Sequence, residues 1–329
     1  MKPLVGHDEA VAAFRDALEA GRLHHAWLIA GPEGVGKALF ADKAAARVLA
    51  HGAGLSADVP GLDVPPGHNT AKLLEAGSHP DFMRLERLAR EGGVDLAKSI
   101  NVHQVRGLQR LFATTPSLSA WRAVVIDAVD DLERGGANAL LKNLEEPPAN
   151  TVFLLVSHAP ERLLPTIRSR CRILRLGPLS HPAMLDALRG ALPDAEESEL
   201  EELAGLSEGA PGKAIAWRGL DVARLDEALD TILQSGDPTN TLRAKLADTL
   251  SSRSAQERYE AFLARAPSRI ATVARQQRGT GLAHALKLWE RAGALSASAL
   301  PLSLDPYAVV FELAGMVAAL SPALANAAA

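Results

Sequence analysis

The sequence predicts an α/β protein with a parallel sheet and a glycine loop at its edge, followed by an all-helical C-terminal third. Three observations carry that expectation. Residues 31–38 match the pattern G-x-x-x-x-G-K-[ST] at Gly31, Gly36 and Lys37, with Gly34 inside the loop. The runs 26–30, 124–127 up to its closing Asp127, and 151–156 after its opening Thr151 are apolar and of strand length, as strands buried on both faces should be. After Gly177 and Pro178 such runs cease and apolar residues recur at helical spacing to the end of the chain.

The loop sits between a strand and a helix, the context that lifts this motif above a chance match. Behind it, Phe40, Ala44 and Val48 follow at four-residue intervals along one helical face. The glycines Gly31, Gly34 and Gly36 would let backbone N–H groups curl around phosphate oxygens, with Lys37 reaching the β/γ-phosphates. Ala38 stands where a hydroxyl would hold Mg²⁺. Asp127, closing the apolar run 124–127, is the expected metal-side carboxylate. Ala128 follows it, where an active ATPase has a glutamate to polarise water. The pattern predicts a nucleotide fold with a degenerate site.

Composition narrows the setting. With 47% hydrophobic and 22% charged residues, the 329-residue chain reads as globular. A net charge of −4 supplies no overall basic field to recruit nucleic acid. Cys171 is the sole cysteine, which excludes an internal disulfide and a cysteine-cluster zinc site and suits a reducing compartment. No signal-peptide pattern opens the chain and no apolar run approaches the ~20 residues of a membrane span. The expected location is the cytoplasm.

Taken in order, Ala10, Val11 and Phe14 predict a short amphipathic helix. His24 and His25 precede the first strand; extended neighbours point to opposite faces, which disfavours a metal role. Residues 51–80, rich in glycine and proline, predict a mobile, irregular excursion. A strand at 82–85 and a helix at 100–112 follow, the latter with Arg106 and Arg110 beside its apolar face. Asp130 and Asp131 read as N-terminal helix charges. A helix beginning near Asn138 is stopped by Pro147 and Pro148. Ser157 and His158 end the strand 151–156, a short helix spans 161–168, and 173–176 is the last strand. Helices at 181–191 and 196–207 precede a break and restart at 208–214. Further on, Leu225 with Leu229, Leu242 with Leu246, Leu282 with Leu286 and Trp289, and Val310 with Ala314 predict four apolar helical faces. Breaks are expected at 236–238, Pro267, Gly279 and Pro301, and a frayed end at 320–329.

Several segments together resemble bacterial AAA+ clamp-loader subunits of DNA polymerase III. These are the run from Asn138 to Pro148, the triplet Ser169, Arg170 and Cys171, His24 to Trp27, and His79 to Asp81. The resemblance covers nearly all of residues 1–215. It implies an AAA+ P-loop domain at 1–178, a helical lid at 179–219 and a helical collar at 220–329. It implies that Ser157 is sensor 1 and that Arg170 is an arginine finger acting in a neighbouring subunit's ATP site. Its guanidinium is always charged and forks onto phosphate oxygens. The implied partners are gamma/tau and delta subunits, the sliding clamp and, through the complex, primed DNA, with no membrane. The family's four-cysteine zinc module is missing from 48–80, so no zinc is expected. The lid position of the usual sensor-2 arginine falls on Gly212, beside Lys213. No cofactor is required on this reading, with weak ATP or ADP binding left open. A self-sufficient ATPase of the gamma/tau kind is the alternative, disfavoured by Ala38 and Ala128.

Overall fold

The computed structural model describes residues 3–89 and 97–322, and its contacts divide the chain into two compact units, 1–216 and 217–329. The first unit begins with α1 (Asp8–Glu19), β1 (Ala26–Ala30), α2 (Lys37–Gly52), α3 (Asn69–Glu75), β2 (Phe82–Glu86), α4 (Val102–Phe112) and β3 (Arg122–Asp127). It continues with α5 (Arg134–Glu145), β4 (Thr151–Ser157), α6 (Pro165–Arg168), β5 (Arg172–Arg175), α7 (His181–Ala191), α8 (Glu197–Leu206) and α9 (Pro211–Trp217).

The five strands form one parallel sheet in the order β2-β3-β4-β1-β5. Every residue of β1 and β4 is buried, so continuous apolar runs were the right signature. Alternation then sorts the side chains between two cores. Trp27 and Ile29 face one with Phe14 and Phe40 from α1 and α2. Ala26 and Leu28 face the other with Leu108 from α4 and Leu140 from α5. Complete burial of each such large side chain contributes roughly 1.5–3 kcal/mol. Helices on both faces leave only the sheet's two ends for chemistry. At one end Ala30 and Ser157 are register partners, and so are Glu86 and Asp127. The helices α7, α8 and α9 share a smaller core of Met184, Leu188, Leu200, Leu203 and Ala214.

The segment 51–80 departs from its expected mobile form. It contains α3, buries Leu62 and Thr70, and is tied to the preceding helices. Lys43 Nζ donates to Asp63 Oδ1 at 2.5 Å, and Arg15 donates to the Ala57 carbonyl at 2.8 Å. Arg47, 1% exposed, reaches the carbonyls of Ser56 and Asp63. Cations on distant helical turns therefore anchor a segment whose own composition suggests none.

The second unit holds α10 (Val222–Ser235), α11 (Thr241–Leu250), α12 (Gln256–Gln276), α13 (Gly279–Ala299) and α14 (Pro306–Ala318). Two expectations fail here. Pro267 lies inside α12 and does not break it. An interior proline costs about 3 kcal/mol, against which the helix buries Tyr259, Phe262, Ala266 and Ile270. Arg265 adds a bidentate ion pair to Asp226 at 2.8 and 2.5 Å. In α13 the buried face runs through Ala285, Leu288 and Ala292, leaving Leu286 and Trp289 exposed. Alanines, which carry little hydrophobic signal, line the packed side. The expected fraying of 320–329 lies outside the described residues from 323 on. Among the described residues no helix is long and apolar enough to cross a membrane.

Candidate functional site

The loop 31–36 follows β1 at the C-terminal edge of the sheet, with Gly36 preceding the first turn of α2. Two glycines are compelled by their surroundings. A Cβ on Gly31 would lie 2.0 Å from the Leu176 carbonyl oxygen. Gly34 has φ +81°, and a Cβ there would meet the Lys213 backbone nitrogen at 2.8 Å. The start of α9 rests directly on the loop, because the Gly212 N–H donates to the Gly34 carbonyl at 2.7 Å. Gly212, in the register where the resemblance would have an arginine, bonds the loop backbone instead of reaching toward a phosphate.

Lys37 is turned into the same structure. Its Nζ donates to the carbonyls of Gly31 at 2.8 Å and Pro32 at 2.6 Å, and the residue is 3% exposed. Burial pulls its pKa down to about 8, with Glu33, Asp130 and Asp127 opposing and Lys213 adding to the fall. The Asp127 carboxylate is also taken. Arg84, on the adjacent strand β2, reaches Asp127 Oδ2 at 2.6 Å and Glu86 at 2.7 Å, and pairs with Asp42 on α2. Burial raises the Asp42 pKa, against the pull of Arg84. One guanidinium thus stands among three carboxylates where a metal would need them open.

Ser157, fully buried, donates to Asp130 Oδ1 at 2.9 Å. Asp130 also accepts the backbone N–H groups of His158 at 2.8 Å and Ala159 at 3.3 Å. It is therefore no simple helix charge: it clasps the end of β4 to the turn after β3. A mainly apolar cavity of about 310 Å³ opens onto these groups, lined by Gly34, Gly36, Lys37 and Asp127 together with Val5, Val35 and Ile215. Gly31, Gly34, Gly36, Lys37, Asp127 and Ser157 do converge at this edge. The Lys37, Asp127 and Ser157 side chains are paired with loop carbonyls, Arg84 and Asp130, and Ala38 adds no oxygen, so this side-chain set does not fit a Mg²⁺-triphosphate.

Arg170 lies at the opposite edge. Trp27 is level with Arg172 and Ala30 with Arg175, so Arg170 precedes the sheet where Gly31 follows it. The length of β1, roughly 15 Å at ~3.3 Å per residue, separates the two. Arg170 Nη1 donates to the Thr166 carbonyl at 3.0 Å and Nη2 pairs with Glu145 Oε1 at 2.9 Å. Its side chain is 36% exposed. Arg172 packs its guanidinium over the Trp27 ring, 4.8 Å from the centroid. Cys171, between them, bonds the Ile167 carbonyl, and burial pushes its thiol up to about 12. His24 and His25 are stacked at 4.4 Å, not splayed, because they precede the strand. His25 Nε2–H donates to the Leu144 carbonyl at 3.2 Å, and burial lowers its pKa. Among the described residues no three His, Cys, Asp or Glu side chains gather as a metal site.

Residues outside the motifs decide this site. Arg84 and Asp130 were legible only as charges near the strand ends, and Glu145 as part of the run before two prolines. What each binds is a tertiary fact.

A five-stranded parallel sheet with helices on both faces and a glycine loop between β1 and α2 gives the chain a P-loop fold of the AAA+ type. The chain matches the family model described as DNA polymerase III, delta subunit over residues 6–180 and belongs to that family. It is 40% identical over 202 residues to the delta-prime subunit of DNA polymerase III from Pseudomonas aeruginosa, covering 60% of this chain and 57% of that one. The delta-prime subunit of Escherichia coli is 34% identical over 69% of this chain and 65% of its own length. The E. coli tau subunit is 30% identical over 69% of this chain and 34% of its own. The matched part is thus under two thirds of each of these relatives.

Proposed function

We propose that this chain acts as a delta-prime-type subunit of a bacterial clamp loader: a non-hydrolysing ring member that supplies Arg170 to the ATP site of a neighbouring subunit. In that role it works with gamma/tau and delta subunits in the cytoplasm to load the sliding clamp onto primed DNA. The observation that carries this reading is the separation of its two charged centres. The side chains at the loop edge are paired within the chain, while Arg170 lies roughly a strand's length away and is partly exposed. Serving its own loop would require Arg170 to cross the sheet; serving an adjacent subunit would not. The reading needs no cofactor and no zinc, and treats any ATP or ADP binding by this chain as weak. It assigns residues 179–219 to a lid and 220–329 to an assembly collar.

Reconstitution with the partner subunits tests it. Arg170→Ala is expected to leave assembly intact and slow ATP turnover by the complex, whereas Lys37→Ala changes turnover little. A complex insensitive to Arg170→Ala but disabled by Lys37→Ala would overturn the proposal. The chain alone is expected to turn over ATP below about 1 s⁻¹, the low end for ordinary enzymes. A fragment ending near residue 216 is expected to fold and fail to join the complex.

A further inference from the structure

Both terminal nitrogens of Arg170 are engaged, and one of the acceptors has no role in stabilising its own element. Glu145 is the last residue of α5, where a carboxylate faces the negative end of the helix dipole. Lys142 has the favourable sign for that turn; Glu145 does not. Its partner across the gap is Arg170, at 2.9 Å. The supports on each side are fixed. Leu144, adjoining Glu145, is 2% exposed and its carbonyl accepts from His25. Thr166, which accepts from Arg170, adjoins Ile167, 1% exposed. The pair itself is exposed, 36% for Arg170 and 48% for Glu145, but its two pedestals are set in the core.

We infer that Glu145 is a positioning residue that holds Arg170 back until the γ-phosphate in a neighbouring subunit competes for the same guanidinium. The inference rests on the proposed in-trans role of Arg170. A carboxylate and a phosphate claim the same fork of N–H donors, so engagement of one requires release of the other. An exposed pair biases such an equilibrium by roughly fivefold at most and is screened by salt. A hold of that size delays insertion of the arginine without preventing it.

The test uses a reconstituted complex in which the other ATP sites are disabled through their own phosphate-loop lysines, leaving only the site completed by this chain. KM for ATP and kcat are measured with the native chain, Glu145→Gln, Glu145→Asp, Arg170→Ala and the Glu145→Gln/Arg170→Ala double variant. Glu145→Gln is expected to lower KM by about two- to fivefold, with kcat within about twofold. That difference should vanish near 0.5 M salt, where the Debye length falls to roughly 4 Å. Glu145→Asp should return KM toward the native value, and Glu145→Gln should change nothing once Arg170 is alanine. An unchanged or raised KM in Glu145→Gln, or the same shift without Arg170, would overturn the inference. An Arg170→Ala complex with native turnover would instead sink the in-trans reading on which it stands.

Discussion

At the C-terminal edge of the sheet, each side chain that would meet a triphosphate has a partner within the chain. Lys37 bonds the carbonyls of Gly31 and Pro32, Asp127 pairs with Arg84, Ser157 with Asp130, and Gly34 lies under Gly212. At the N-terminal edge Arg170 has partners too, but they are a surface carboxylate and one carbonyl. The residue types at the first edge are those of a nucleotide site, yet their burial and pairing oppose ligand exchange. The second edge holds a charge whose pairing is weak enough to be traded. Environment, more than residue identity, separates buried, mutually paired side chains from one that remains exchangeable.

The largest expected effect strikes the second edge. At the single ATP site completed by this chain, Arg170→Ala should slow turnover by about 10³-fold or more, the scale of a lost in-trans arginine, and Arg170→Lys should rescue poorly. A single-site ATPase assay reads both. If the first edge is closed by its internal partners, restoring the missing chemical groups alone should fail. Ala38→Thr with Ala128→Glu is expected to leave Mg²⁺-ATP binding unimproved. Adding Arg84→Ala should strengthen Mg²⁺ binding by at least about tenfold, the scale of one charged hydrogen bond. Titration calorimetry would decide, and strong binding by the first double variant would show that Arg84 does not block the site.

Smaller effects concern the buried lysine. Lys37 has a folded-state pKa near 8 against 10.5 for the free side chain, so below about pH 8 the full cost of its buried charge is present. Between those values the unfolded chain binds more protons than the folded one, and stability rises with pH. Lys37→Met is therefore expected to stabilise the protein by about 1–2 kcal/mol at pH 7, with an advantage that shrinks as pH rises toward 10.5. Denaturant melts at pH 7 and pH 10 would show it; a constant difference would refute the assignment. Away from both edges, Lys43→Met should cost only about 0.5–1 kcal/mol, since Asp63 is largely exposed.

The strands were readable because a doubly covered parallel sheet demands continuous apolar runs, and 26–30, 124–127 and 151–156 supply them. The glycine loop and the order of strand, loop and helix were readable for the same local reason. What failed depended on distant partners. Pro267 is overruled by the buried face around it, Trp289 is left outside because small alanines pack instead, and residues 51–80 are held by Lys43 and Arg47. At the site, Ala38 and Ala128 signal loss of chemistry in the sequence itself. The closure does not, since it is made by Arg84, Asp130 and Gly212 meeting groups tens of residues away.

The close approach of Gly31 to Leu176 has a mechanical consequence. β5 runs from Arg172, two residues beyond Arg170, to Arg175, and Leu176 then donates its N–H to the Ala30 carbonyl at 2.8 Å. The strand is a tie rod with the arginine's mounting at one end and the glycine at the other. Any side chain at position 31 would collide with the Leu176 carbonyl and lift that end of the rod from its seat. The glycine that resembles a phosphate ligand also serves as a bearing surface, and widening it is expected to shift the Arg170 end of the rod with no nucleotide involved.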